Sequence, residues 1–337
     1  MHKPVSVALD AMSGDRGAEI VVPAAIAMLA DDAQLRLILT GQPDVLTGML
    51  GDALRRFGDR LAIEPAVQIV DMDEHPKDAL RKKKDSSMRV ALNLVRDGRA
   101  GACVSSGNTG ALMATARFVL RTLPGIDRPA IISAVPSIGG HTHMLDLGAN
   151  ADCTPEQLFQ FAVMGTIVAA DIHGLKRPRV GLLNIGAEDI KGNDRIREAA
   201  RLLTRSNLNY IGFVEGNDIF LGTVDVVVTD GFTGNVSLKT MEGLAQFITA
   251  HMRAELSRTR RNRLLALVAM PMLKSLKSTL DTRRYNGASL VGLNGIVIKS
   301  HGDADVLAFR NAIRTAIVEI DKGVPRQISH LLGEQVI

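Results

Sequence analysis

Tryptophan is absent from the 337 residues, tyrosine occurs twice, and aromatic side chains together make up 3% of the chain. That removes the stacking platforms on which single-stranded nucleic acids are held. Charge offers no substitute, because 40 Lys and Arg stand against 36 Asp and Glu, a net charge of only +4. Nucleic acid is therefore not an expected partner, whereas an anionic substrate or an acidic protein is compatible with the mild basicity. Cysteine is almost as scarce. Cys103 and Cys153 lie far apart and form no CxxC pair, which argues for reduced thiols in a cytoplasmic setting. Cys103 falls in an apolar run and reads as a small buried hydrophobe before it reads as a nucleophile.

Metal-binding patterns are missing too. There is no HExxH and no Cys/His set; His141, His143 and Asp146 are spaced like strand neighbours, and no metal is expected. No apolar run reaches the roughly 20 residues that span a bilayer, since the stretch from Leu264 to Leu273 is interrupted by Pro271. The opening MHKPVSVALD leads straight into a strand pattern, with no signal-peptide signature. Two phosphate motifs are lacking as well. No GxxxxGK[ST] occurs, and no GxGxxG follows a strand, so neither a P-loop nor a standard dinucleotide fingerprint is present.

What is present is alternation. Short β-branched runs such as VSVAL (5–9), LRLILT (35–40), ACVSS (102–106), VGLLNIG (180–186) and VDVVVTD (224–230) are each followed by a helical pattern. Apolar runs without polar alternation mark strands covered on both faces, and the alternation predicts a mostly parallel sheet. The expected fold is a three-layer α/β/α sandwich forming a single domain over 1–337. PAIISAVPS and HTHMLDL, separated by Gly139-Gly140, predict one hairpin within it. With 46% hydrophobic residues the chain can bury a large core.

Ligands of open α/β sheets sit at the carboxyl ends of strands. Those ends deliver LDAMSGDRGAE with Asp10 and Asp15; SSGNTG with Ser106, Gly107, Asn108 and Thr109; NIGAEDIKGND with Lys191 and Asn193; and DGFTGNVSLK with Asp230, Gly234 and Asn235. Taken singly, each loop is also an ordinary turn or N-cap. Taken together, they predict four loops gathered at one sheet edge, where helix-start N–H groups suit a phosphate. Lys191 could hold that anion or stabilise charge on a carbonyl oxygen. His301, in KSHGDAD, is a further polar candidate, whereas the run Arg81 to Lys84 reads as a solvated helix face.

Residues 240–284 differ from the rest and predict a protruding amphipathic helical hairpin. Arg260, Arg261 and Arg263 precede Leu265, Val268 and Met272, and Pro271 should kink or break the element. A basic helix with an apolar face can lie on anionic lipid, pack in a dimer interface, or receive an acidic carrier protein.

LDAMSGDRG, LRKKKDSSM, SSGNTGALMA, LDLGANADCTPEQLFQFAVMG, LLNIGAEDIKGND, VDVVVTDGFTGNVSLKT and NGASLVGLNGIVIKSHG follow one another in this chain. In that order they resemble the bacterial phosphate acyltransferases of phospholipid synthesis, from about residue 4 to residue 320. Two departures are small: Ser13 stands where the family usually has glycine, and Ser106 where it commonly has alanine. The resemblance implies reversible transfer of a long-chain acyl group from acyl carrier protein to inorganic phosphate, without a cofactor. It also implies a fold related to phosphotransacetylases and isocitrate-type dehydrogenases, a homodimer, and peripheral attachment to the membrane surface. The membrane glycerol-3-phosphate acyltransferase would receive the acyl phosphate. On this reading Ser106, Gly107, Asn108 and Thr109 cradle phosphate. Lys191 and Asn235 stabilise the thioester oxygen or orient phosphate, with Asp230 and Asn193 behind them. The alternative is a soluble phosphotransacetylase-like enzyme using short-chain acyl-CoA.

Overall fold

The computed structural model of the protein describes residues 5–272 and 286–335. Its first half runs β1 (Val5–Asp10), α1 (Ala18–Asp31), β2 (Leu35–Gly41), α2 (Pro43–Leu50), α3 (Ala53–Phe57), β3 (Leu61–Pro65), α4 (Pro76–Lys82), α5 (Ser87–Arg96), β4 (Ala102–Ser105) and α6 (Thr109–Leu120). A hairpin follows, β5 (Ala130–Ser137) and β6 (Gly140–Leu145), as the Gly-Gly turn predicts. The second half runs α7 (Pro155–His173), β7 (Val180–Leu183), α8 (Asp194–Thr204), β8 (Tyr210–Val214), α9 (Asp218–Leu221), β9 (Val226–Val228), α10 (Gly231–Ser257) and α11 (Arg260–Val268). The chain then returns to the first half through β10 (Ala288–Val291), β11 (Ile296–Lys299), α12 (Val306–Lys322) and α13 (Val324–Gln335).

The eleven strands among the described residues form one sheet, in the order β3-β2-β1-β4-β11-β10-β5-β6-β9-β7-β8. Strand residues alternate between two covered faces. Val7 and Leu9 pack with Leu29 of α1 and Phe309 and Ile313 of α12, whereas Ala8 and Cys103 pack with Leu92 of α5 and Leu112 of α6. In the second half Val180, Leu182, Val226 and Val228 meet Phe161 and Ala162 of α7. Phe161 and Phe309 are wholly buried, each contributing about 1.5–3 kcal/mol relative to exposure. Several helices begin at a side-chain cap. Thr154 and Gln157 close a reciprocal capping box ahead of Pro155, and the Asp305 carboxylate accepts the Ala308 N–H at 2.9 Å.

The expectation that four strand ends gather at one edge is corrected by the pairing directions. β1, β2, β3, β4 and β11 are parallel, as are β6, β9, β7 and β8, but β11–β10, β10–β5 and β5–β6 are antiparallel. Three reversals leave β7 and β9 running opposite to β1 and β4, so their carboxyl ends leave the sheet in opposite directions. Stagger partly compensates. The register line Val104↔Ile298↔Ser289↔Ile132↔Leu145↔Val228 crosses the sheet at one level. It passes one residue from the end of β4 and through the last residues of β6 and β9. Both halves thus end near a common line, approached from opposite sides.

The hairpin expected over 240–284 is only partly within the described residues, because its return arm falls in 273–285. Within them the first break comes before the proline. α10 ends at Ser257 and Thr259 caps α11, its hydroxyl accepting the Asn262 N–H at 3.0 Å. A second break at Ala269 lets residues 270–272 start a new helical turn. Pro271 sits in that first turn, where its missing N–H costs no helical bond.

Candidate active site

Two clusters of loop residues flank the common line. The first hangs from β1, β4 and β11. Ser105 Oγ donates to Asp10 Oδ2 at 2.6 Å and accepts the Gly107 N–H at 3.1 Å. Ser106 Oγ donates to the Ser13 carbonyl at 2.8 Å. Asn108 caps α6, accepting the Ala111 N–H at 2.9 Å, while its amide donates to the Met72 carbonyl at 2.6 Å. Thr109 and Gly110, as the first helical residues, have N–H groups with no intrahelical acceptor, and both residues are exposed. Backbone approach here is close. A Cβ on Gly14, whose φ is +93°, would fall 2.4 Å from Ser106 Oγ, and one on Gly107 would fall 2.8 Å from Ser13 Cβ. The Asp15 N–H donates to the Gly302 carbonyl at 3.0 Å, drawing the segment after β11 into the cluster. Asp10 Oδ1 and Ser13 Oγ are buried without a hydrogen-bond partner, two polar atoms left open in the cradle wall.

Lys299, a residue the sequence reading passed over, closes β11 beside this cradle. Its Nζ donates to the Ser106 carbonyl at 3.4 Å and also bonds the Ser300 carbonyl. Burial lowers its ammonium to about 8; Lys239 adds to the effect, while Asp10, Asp15 and Asp303 oppose it. The only sequence signal was a lysine ending an apolar strand just before the His301 motif. His301 is in place, with its Nδ1 against Asp303 and its Nε2 3.5 Å from Lys239 Nζ.

The second cluster lies around the end of β6 and the start of α10. Asp146 is wholly buried, and its carboxylate accepts the N–H groups of Ile131, Ala149 and Asn150. Burial raises its pKa against these bonds. Asp230 caps α10, accepting the Thr233 N–H at 2.8 Å, and lies 3.6 Å from Arg195. Gly234 is packed so tightly that a Cβ would come within 1.9 Å of the Asp146 carbonyl. Asn235, next along the helix, is exposed beside Gly148. Asn193 caps α8, accepting the Ile196 N–H at 3.0 Å, and Lys191 is exposed in the loop before it. Neither Lys191 nor Asn193 touches the first cluster. The link is α10, which is capped by Asp230 and carries Lys239 to His301 about 12 Å along its axis from Gly231.

Asp10, Asp15, Ser106, Gly107, Asn108, Thr109 and His301 therefore share one rim, and Asp230, Gly234 and Asn235 the other. Neither cysteine is poised as a thiolate. Burial raises Cys103 well above its ordinary value and pushes Cys153 up to about 12. The geometry offers backbone N–H donors, amides and ammonium groups, a set suited to an oxyanion.

The family model described as "Fatty acid synthesis protein" matches residues 5–327. A phosphate acyltransferase from Alkalilimnicola ehrlichii is 57% identical over 336 residues, covering 98% of this chain and 97% of its own. One from Nitrosococcus oceani is 57% identical over 325 residues, covering 96% of each. Among solved structures, a phosphotransacetylase from Streptococcus pyogenes superposes with a TM-score of 0.63 at 19% identity, covering 95% of both chains, which shows a shared fold. Match to the family model over nearly the whole length, together with such relatives, places the chain in the fatty acid synthesis protein family, with the bacterial phosphate acyltransferases, and makes it an acyltransferase.

Proposed function

We propose that this acyltransferase moves a long-chain acyl group reversibly from acyl carrier protein to inorganic phosphate, yielding an acyl phosphate for phospholipid synthesis. Phosphate is already an anionic nucleophile at neutral pH and a thioester is an activated acyl donor, so positioning and oxyanion stabilisation supply most of the catalysis. A phosphate oxygen attacks the thioester carbonyl, and the tetrahedral oxyanion collapses with loss of the carrier thiolate, which takes up a proton from solvent. Ser106, Gly107, Asn108 and Thr109 receive the phosphate at the start of α6. On this reading Lys191 and Asn235 meet the developing charge, with Asn193 and Asp230, the caps of α8 and α10, behind them. The observation that carries this reading is the cradle itself: two glycines with no room for a Cβ, the free first-turn N–H groups of α6, and Lys299 behind them.

The resemblance further suggests a homodimer resting on the membrane surface, passing its product to the membrane glycerol-3-phosphate acyltransferase. Exposed Leu265, Leu267 and Met272 beside Arg260, Arg261 and Arg263 support the surface attachment; Val268 has no described side chain. No helix among the described residues is long and apolar enough to cross a membrane.

The test is incubation of the purified protein with phosphate and palmitoyl-acyl carrier protein or a short-chain acyl-CoA, with acyl phosphate read by mass spectrometry. Product from the carrier donor is expected. Product from acyl-CoA alone would replace this reading with the phosphotransacetylase-like one. Lys191→Ala should lower kcat at least about a hundredfold, the usual size for loss of an oxyanion donor, with an unchanged melting temperature; near-normal turnover removes Lys191 from the mechanism.

A further inference from the structure

Charge is unevenly placed along this chain. Residues 86–128 hold six arginines against two aspartates, an excess equal to the +4 of the whole protein. The fold turns that bias into a surface. α6 lies between α4 and α5, and Arg89 of α5 reaches across to α6, its guanidinium 4.8 Å from the centre of the Phe118 ring. Arg121 covers the same ring at 5.9 Å. Phe118 itself remains 52% exposed.

Arg121 is held in place by an unusual backbone. It is the one non-glycine residue with positive φ, +63°, among the described residues, and a non-glycine rarely adopts this conformation. Asn294 pins it, donating from its N–H to the Arg121 carbonyl at 3.1 Å and from its amide to the Thr122 carbonyl at 2.8 Å. One helical turn earlier is Arg117, exposed on the same helix.

These cations are uncompensated. Arg96 pairs with Asp97, and Arg99 with Glu64. Among the described residues no carboxylate forms an ion pair with Arg89, Arg117, Arg121 or Arg128. Burial and the like charge of Arg96 both act against the Arg89 cation. An exposed aromatic framed by arginines is the composition of an interface anchor rather than of a solvated face. The face also lies close to the chemistry, because Phe118 is nine residues, about 14 Å, along α6 from Thr109 in the phosphate cradle.

We propose that the arginine-framed face around Phe118 is the landing surface for the acidic acyl carrier protein. Carboxylates of the carrier pair with Arg89, Arg117 and Arg121, and an apolar side chain covers the Phe118 ring. The inference rests on the function proposed above and assigns its donor a place on the molecule. Charge complementarity selects the occupant, since an acidic protein supplies the carboxylates that Arg89, Arg117 and Arg121 lack.

The test uses the full-length protein, fluorescently labelled palmitoyl-acyl carrier protein, and the variants Phe118→Ala, Arg117→Glu and Arg117→Glu/Arg121→Glu. Anisotropy should show carrier affinity weakened about tenfold or more in each, the scale of a lost anchor. In turnover assays the carrier KM should rise in parallel, while kcat and the phosphate KM stay within about twofold. Wild-type affinity should fall with added salt more steeply than that of the double variant. Arg117→Glu alters only an exposed helix position, so it keeps the test valid if the double variant fails to fold. Unchanged carrier affinity, or equal rises in both KM values, overturns the proposal. So does loss of binding to phosphatidylglycerol vesicles with carrier affinity intact, which would assign the face to the membrane. Failure of the wild type to make acyl phosphate would defeat the proposed function, but the anisotropy would still read the docking surface.

Discussion

At the scale of single residues, a half-buried lysine and a buried glutamate both titrate away from their ordinary ranges. Lys299 holds the Ser106 carbonyl by a charge-assisted bond and presents a positive charge only while it carries its proton, and burial brings its pKa down to about 8. As pH rises through 8 the ammonium discharges, so wild-type kcat/KM for phosphate should fall over that interval. Lys299→Met should raise the phosphate KM about tenfold, the scale of one charge-assisted hydrogen bond, and lose the alkaline limb. Lys299→Arg should carry the limb to higher pH. A Met variant with the wild-type pH profile would show that Lys299 only fills space. Glu319 is the counterpart. It is 1% exposed, bonded to Ser289 Oγ at 3.0 Å, with Oε1 unpartnered, and burial raises its pKa to about 8. Between the ordinary carboxylate range near 4.5 and pH 8 the folded state holds a proton that the unfolded state releases. Stability is therefore lost as pH rises across that window. Glu319→Gln should remove the slope, with a gain of about 1–3 kcal/mol at pH 8 over pH 5 relative to wild type, read from denaturant midpoints.

At the scale of elements, the same side chains that start helices line the candidate site. Asn108 closes α6 and ties its start to the carbonyls of Met72 and Glu74. Asn108→Ala should cost about 1 kcal/mol in thermal unfolding, the usual worth of an N-cap. Asn108→Asp keeps the cap but sets a carboxylate oxygen against the Met72 and Glu74 carbonyls and the phosphate, so it should recover only part of the stability and none of the phosphate KM. Recovery of both would reduce Asn108 to a structural cap. This double use explains how much of the site was legible in the sequence. Asn, Asp, Ser and Gly after β-branched runs mark helix starts for local reasons, so Asn108, Asn193 and Asp230 were visible as caps. Lys299 was not, because nothing local distinguishes a lysine that ends a strand. What sets its environment is burial, opposed by Asp10 and Asp15 almost three hundred residues away in the chain.

At the scale of the whole molecule, periodicity gave the strands and helices but not their directions. An apolar run covered on both faces does not fix which way its strand runs, so the β11–β10 and β10–β5 reversals left no mark on it, whereas the β5–β6 reversal was legible from its Gly-Gly turn. The same limit applies to the tip. Its amphipathic pattern is compatible with lipid, a second copy of the chain or a folded core, and exposure removes only the last of these. Leu265 is 56% exposed and Met272 67%, with Arg260, Arg261 and Arg263 exposed nearby. A lipid contact of this kind combines apolar burial with attraction of the arginines to anionic headgroups. Leu265→Asp/Met272→Asp should therefore weaken co-sedimentation with phosphatidylglycerol vesicles about tenfold or more, from two apolar side chains of roughly 1–2 kcal/mol each. Binding to phosphatidylcholine vesicles should be weak in both proteins, and turnover in solution unchanged. Loss of turnover or of the oligomer, with vesicle binding intact, would instead place these side chains in a protein interface.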